Sequence, residues 1–169
     1  MNPSPHHNAK AAFLDRDNTI IKDEGYFHDP DGIVLMPGAV EALRLLRDAG
    51  FLLFIITNQS GVGRGFFPES DVLAVHERLS EMLAKEGVSL ARIYYCPHAP
   101  EDLCECRKPK PFLILKAARE FDVDLAKSVF IGDHSKDMEA AKAAGVPGIL
   151  IREGEFLSAV ASFLASLPQ

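Results

Sequence analysis

The chain has 169 residues, with 18 basic and 24 acidic side chains, a net charge of −6, and 47% hydrophobic content. That length suits one domain with a substantial core. The acidic balance argues against a nucleic-acid binder or a protein that meets membranes through a basic face, and no apolar stretch approaches the roughly 18–20 residues of a membrane span.

Residues 1–10 (MNPSPHHNAK) form a polar tail without the apolar core of a secretory signal, so a cytoplasmic protein is expected. Residues 11–169 are expected to make a single domain and to work as a monomer, with no linker or repeat dividing them. AAFLD (11–15) predicts the first strand. PGAVEALRLLRDAG (37–50) predicts a helix, with Pro37 in its first turn, apolar positions at helical spacing, and Gly50 as the stop. FLLFIIT (51–57) is apolar throughout, as expected of a parallel strand covered on both faces. A long amphipathic helix over 69–86 and a short strand, RIYYC (92–96), come next. Helix 111–121, strand 128–133, helix 135–145, strand 148–151 and a final helix near 155–167 complete the series. Strands alternating with helices predict an α/β fold, a doubly wound, Rossmann-like parallel sheet with right-handed crossovers.

Ligands of such sheets bind outside the carboxyl ends of the strands, so the strand-closing residues belong together. They are Asp15 and Asp17, then Thr57 and Asn58, then Cys96, then Asp133. Two carboxylates at one strand end could be no more than a solvated turn. A ring of such groups at one end of a sheet is a stronger signal. Converging carboxylates repel unless a cation joins them, and Mg²⁺ suits oxygen ligands and a phosphate oxygen. Asp15 and Asp133 would bind it through carboxylates, and Asp17 through its backbone carbonyl. A carboxylate could then attack phosphorus, with a second one protonating the leaving oxygen and later activating water. Thr57 offers a hydroxyl and Lys108, in CRKPKP, a positive charge for the phosphoryl oxygens.

LDRDNT, the strand ending in TNQSG, the RKPKP segment and GDHSKDMEAA resemble, in order and spacing, the four motifs of haloacid dehalogenase-like phosphatases. The resemblance spans Ala11 to Ile151. It implies an aspartyl-phosphate mechanism with Asp15 as nucleophile, Asp17 as general acid/base, Thr57 and Lys108 as phosphoryl stabilisers, and Asp133 as a magnesium ligand. Asp137 would orient Lys108 or a metal-bound water, or serve only as a first-turn acid favoured by its helix. Asn18 stands where that family usually has glycine. If the position needs positive φ, asparagine is among the best-tolerated substitutes.

All three cysteines, Cys96, Cys104 and Cys106, lie in CPHAPEDLCECRKP with His98 among them. Three cysteines leave one over in any disulfide scheme, and a cytosolic setting disfavours such bonds. C-x-H-x₅-C-x-C offers instead a closed tetrahedral ligand set for structural Zn²⁺. The loop 96–108 would then pin Arg107 and Lys108. His76, mid-helix, reads as structural.

Only about 20 residues separate Asp17 from the first helix, too few for a separate cap domain, so loops must choose the small phosphorylated substrate. The zinc loop with LDRDxT and CRKPKP is similar to a subgroup holding D-glycero-D-manno-heptose 1,7-bisphosphate phosphatases and histidinol-phosphate phosphatases. Segments 23–38 and 57–67 look more like the heptose enzymes; the short spacer between His98 and Cys104 looks more like the histidinol enzymes. The expected substrate contacts are Asp23, Glu24, Gly25, Tyr26, Thr57, Asn58, Gln59, Ser60, Arg64, Arg107 and Lys108. Arg64 is the candidate for gripping a second phosphate, with Arg107 nearer the transferred one, or else Arg64 is a solvated loop charge. A pseudoenzyme would be expected to lack the nucleophile or the acid, and both are present.

Overall fold

A computed structural model describes residues 8–168; most of the expected polar tail lies outside them. Strands β1 (Ala11–Leu14), β2 (Leu52–Asn58), β3 (Arg92–Cys96), β4 (Val129–Gly132) and β5 (Gly148–Leu150) form one sheet in the order β3-β2-β1-β4-β5. Every pairing is parallel, with Ala11 opposite Leu52, Ala12 opposite Val129, Phe54 opposite Arg92 and Phe130 opposite Gly148. Helices α1 (Ala39–Asp48), α2 (Ser60–Gly63), α3 (Glu69–Lys85), α4 (Phe112–Phe121), α5 (Ser135–Ala144) and α6 (Phe156–Ser166) fill the connections. This is the expected doubly wound sheet.

The continuous apolar runs of β1 and β2 are explained by two cores. Ala12, Leu14, Leu53 and Ile55 pack with Leu43, Leu46, Val75, Leu79, Phe156 and Val160 of α1, α3 and α6. Their strand neighbours Ala11, Phe13, Phe54 and Ile56 point the other way, against Leu113, Ile114, Ala117, Ala140 and Ala141 of α4 and α5. Alternate residues of one strand thus serve opposite faces, and both faces are dry. Phe13 lies stacked between Phe54 (5.5 Å) and Phe130 (6.5 Å) at the centre of the second core.

Element ends differ from the sequence reading by a residue or two, with physical causes. Helix α1 begins at Ala39, not in the turn of Pro37, because Gly38 takes a left-handed φ of +75°. A Cβ on Gly38 would also stand 3.0 Å from Leu157, so glycine fits there on both counts. Strand β1 ends at Leu14, which frees Asp15 from the ladder on one side. The single-turn α2 was not expected: four residues are too few to show a period. Between β1 and α1 the described chain holds one short 3-10 turn (Pro30–Gly32) and no inserted domain.

Candidate active site

The ends of β1, β2 and β4 open on a cavity of about 270 Å³ lined by four carboxylates, Asp15, Asp17, Asp133 and Asp137, and three cations, Arg107, Lys108 and Lys136. Carboxylate oxygens of Asp15, Asp133 and Asp137 lie within 4.8 Å of one another. Burial, followed by repulsion from Asp15, pushes the Asp133 carboxyl up to about 7. Asp137 is raised by the same two causes. A site in which neighbouring carboxylates disfavour one another's charge is short of positive charge, and a divalent cation with oxygen ligands fits that deficit.

Lys108 supplies part of the compensation. Its side chain is buried, and Nζ donates to Asp15 Oδ1 (2.8 Å), Asp137 Oδ1 (2.7 Å) and the Ile56 carbonyl (2.7 Å). Burial works against its charge, but Asp15 and Asp137 outweigh that and hold its pKa above the ordinary lysine value. Of the readings open to Asp137, orienting Lys108 is the one its hydrogen bond to Nζ supplies. Asn58 fixes the same residue from behind: its amide donates to the Lys108 carbonyl (3.1 Å) and its oxygen accepts from the Lys108 N–H (3.0 Å).

The turn after β1 delivers Asp15 and Asp17 to the cavity. The Arg16 carbonyl accepts from the N–H groups of Ile20 (2.9 Å) and Ile21 (3.1 Å), coiling the chain tightly. Asn18 takes the left-handed φ of +58° that its position demands. Its side-chain oxygen also accepts from the Asp23 N–H (2.9 Å), a bond that glycine could not make. Asn18→Ala should therefore be less stable than Asn18→Gly by about 1 kcal/mol, since alanine keeps a Cβ in a left-handed conformation. Urea midpoints of the two variants check this; equal midpoints would mean the turn relaxes.

Asp17 itself is held on both oxygens. Arg16 Nε donates to Oδ1 (2.7 Å), and Gln59 Nε2 donates to Oδ2 (2.9 Å) and to Thr57 Oγ1 (2.8 Å). Burial raises the Asp17 carboxyl and Asp15 adds to this, while Arg16 pulls it back. Thr57 and Gln59 are thus buried behind the acid, whereas the expectation for Gln59 was a substrate contact. Ser60 opens α2, and Arg64, at its far end, lies 3.9 Å from Glu101. Arg64 is not among the cavity's lining residues; Arg107 and Lys136 are.

The 23–26 segment lies on one flank. Asp23 accepts from the Gly25 (2.9 Å) and Phe27 (3.0 Å) amides, and Glu24 pairs with Lys22 in solvent. Exposed Tyr26 meets exposed Phe66 edge-on, with ring centroids 4.8 Å apart. Asp23, Asn18 and Asp133 also border a second hollow, which adjoins the first.

Cys96, His98, Cys104 and Cys106 converge beside β3. The sulfurs lie 3.1, 3.5 and 3.6 Å apart, and His98 Nδ1 is 3.2 Å from Cys106 and 3.6 Å from Cys96. A tetrahedron with Zn–S bonds of ~2.3 Å has edges of about 3.8 Å, so this donor set fits structural zinc. The loop also crosses α2 closely. The Gly63 N–H donates to the Pro97 carbonyl (2.8 Å), and a Cβ on Gly63 would fall 2.4 Å from the Ala99 nitrogen.

A family profile for haloacid dehalogenase-like hydrolases matches residues 6–145. The chain belongs to that family. It is 41% identical to the D-glycero-beta-D-manno-heptose-1,7-bisphosphate 7-phosphatase of Yersinia pestis, over 94% of this chain and 93% of that protein. It is 40% identical to the protein of the same name from Escherichia coli (strain K12), over 94% and 92%. The solved D,D-heptose 1,7-bisphosphate phosphatase from B. bronchiseptica, complexed with magnesium and phosphate, superposes with a TM-score of 0.80 at 36% identity, covering 95% of this chain and 89% of that one. As a haloacid dehalogenase-like hydrolase with such relatives, the chain is a phosphoric monoester hydrolase. No described helix is long and apolar enough to cross a membrane.

Sequence reasoning missed Arg16 and Lys136. Arg16 sits between two acids that drew attention to themselves, and nothing local shows that it turns inward. Lys136 reads as an ordinary first-turn residue of α5 until the cavity is seen.

Proposed function

We propose that this phosphatase hydrolyses D-glycero-D-manno-heptose 1,7-bisphosphate to the monophosphate through an aspartyl-phosphate on Asp15. The observation that carries the reading is the convergence of Asp15, Asp133 and Asp137 beside Lys108 and Asp17, in a chain about 40% identical to enzymes bearing that name. Asp15, Asp133 and the Asp17 backbone carbonyl would hold Mg²⁺, which when bound supplies charge neutralisation for the phosphoryl group. An Asp15 carboxylate oxygen bonds to phosphorus as the phosphorus–sugar oxygen bond breaks, and the leaving oxygen takes a proton from Asp17. Asp17 then accepts a proton from water as that water attacks phosphorus, the Asp15–phosphorus bond breaks, and inorganic phosphate leaves. Lys108, held by Asp15, Asp137 and Asn58, faces the phosphoryl oxygens throughout.

A bisphosphate also needs an anchor for the phosphate it keeps. The geometry favours Arg107, which lines the cavity, over Arg64, which leans towards Glu101. Arg107→Ala should lose a charge-assisted contact worth about 1.5–3 kcal/mol, or roughly 10–150-fold in kcat/KM on the bisphosphate. p-Nitrophenyl phosphate has no second phosphate and should be largely spared. Arg64→Ala should change both little. The deciding experiment compares kcat/KM for the heptose bisphosphate and histidinol phosphate with Mg²⁺ present. A preference for histidinol phosphate would replace the substrate proposed here with the alternative that the short cysteine spacer suggests.

A further inference from the structure

Arg16 is the largest fully buried side chain among the described residues. A guanidinium out of water must have its donors matched, and here they are. Nε donates to Asp17 Oδ1 (2.7 Å), Nη2 to Gln59 Oε1 (3.0 Å) and to the Phe27 carbonyl (3.3 Å), and Nη1 lies 3.2 Å from His76 Nε2. His76 is itself buried in α3; burial, with Arg16 adding to it, lowers its pKa to about 3, so it stays neutral and can accept from Arg16. Gln59 closes the ring by donating to Asp17 Oδ2 (2.9 Å). Guanidinium, amide and carboxylate therefore form a closed triangle of hydrogen bonds, backed by an imidazole on a different element.

A carboxylate has about four lone-pair positions. The triangle occupies one on each oxygen, which fixes the plane of the carboxyl group and leaves the remaining positions facing the cavity. A cation beside an acid favours its ionised form, which would work against proton donation in the first chemical step. Acidity is thus not what Arg16 contributes. Orientation is: a buried clamp in which Arg16 holds one oxygen of a short side chain and positions Gln59 on the other removes rotation about its last bond. The Phe27 carbonyl on the same guanidinium ties the 23–27 segment to that orientation.

We propose that Arg16, working with Gln59, is a positioning residue for the phosphatase reaction: it fixes the plane in which Asp17 presents its proton to the leaving oxygen. This rests on the reading of Asp17 as the general acid. Arg16→Gln should accordingly harm substrates in proportion to how much their leaving group needs a proton. A sugar alkoxide needs one; p-nitrophenolate does not. kcat/KM covers steps up to phosphorylation of Asp15, so the later attack of water does not enter the comparison.

The test measures kcat/KM for the heptose bisphosphate and for p-nitrophenyl phosphate in wild type, Asp17→Asn, Arg16→Gln and the double variant. Misplacing a catalytic group by about 1 Å costs on the order of 10²-fold. Arg16→Gln should therefore lose about 10–100-fold more on the sugar phosphate than on the aryl phosphate, and should cost nothing further once Asp17 is Asn. The substrate ratio is independent of the folded fraction, so partial misfolding cannot mimic it. If Arg16→Gln does not fold, Arg16→Lys carries the same test, since lysine keeps the buried charge but has no planar fork to hold Asp17 and Gln59 together. An unchanged ratio in whichever variant folds, or losses that multiply in the double variant, would assign Arg16 to the fold alone and overturn the proposal. Asp17→Asn losing equally on both substrates would overturn the reading of Asp17 beneath it, whatever Arg16 does.

Discussion

Asp15→Asn is expected to leave no measurable phosphatase activity in a protein that remains folded. The Asp15 carboxylate closes β1 2.8 Å from Lys108 Nζ and within 4.8 Å of the Asp133 and Asp137 carboxylates. An amide in its place is nearly isosteric and can still accept from Lys108, yet it is a poor nucleophile towards phosphorus. Removing a covalent nucleophile costs on the order of 10⁶-fold in a well-studied hydrolase, which places turnover here below detection. Two effects on stability oppose each other. Neutralising Asp15 relieves repulsion on Asp133 and Asp137 in the metal-free protein, but it takes from buried Lys108 one of its two carboxylate partners. Thermal unfolding without added Mg²⁺ should thus show Asp15→Asn still folded, with a Tm close to that of wild type. Activity near the wild-type level would remove the aspartyl-phosphate mechanism.

The parts of this site that sequence alone reveals are those in which chemistry and local pattern coincide. Asp15, Thr57, Cys96 and Asp133 each follow an apolar run, and a parallel sheet gathers such residues at one edge. The two cores are foreshadowed in the same way, because runs such as FLLFIIT make sense only when both faces of the strand are covered. The Cys/His spacing identifies its own partners, since all four side chains lie within eleven residues, 96–106. Asn18 is a further case: the question it raised concerned φ, and the structure answers with +58°.

What stayed hidden depends on side-chain direction across distant segments. Arg16, Gln59 and His76 are 43 and 60 residues apart from the first in the chain, and no period links them. Gln59, beside Ser60 in a loop, reads as a substrate contact because loops at strand ends face ligands. Here Gln59 stands just before α2 and its amide turns back to Asp17. Arg64 was attractive as a cation between glycines, but the preference of its loop for Glu101 is a tertiary fact. The partnership of Lys108 with Asp137, 29 residues on, is one of three readings the sequence leaves open, and it rests on Nζ lying 2.7 Å from the carboxylate.

Removing a member of the Cys/His cluster is expected to have the largest effect on the fold itself. Burial raises the Cys96 and Cys106 thiols, while hydrogen bonds from Cys96 and Cys106 bring Cys104 down to about 7 against its own burial. Three thiols this close share protons grudgingly, and a divalent soft-ligand cation replaces all of them at once. The Pro97–Ala99 end of the loop is tied to α2 through the Gly63 N–H, but the stretch between His98 and Cys104 is a single 3-10 turn (Pro100–Asp102) followed by exposed Leu103 in a left-handed conformation. Purified protein should therefore carry one zinc per chain by elemental analysis. Cys104→Ser should lose it and at least about 3 kcal/mol of stability, a fall in Tm of roughly 6–12 °C for a domain of this size. Because Cys106 is two residues from Lys108, the loss should also reach the cavity, lowering kcat on both sugar and aryl phosphates alike. That substrate-independent loss separates a loosened Lys108, needed by every phosphoryl group, from a misplaced Asp17, needed only by poor leaving groups. Protein purified without chelator that contains no zinc, or a Cys104→Ser variant as stable as wild type, would leave the cluster without a structural role.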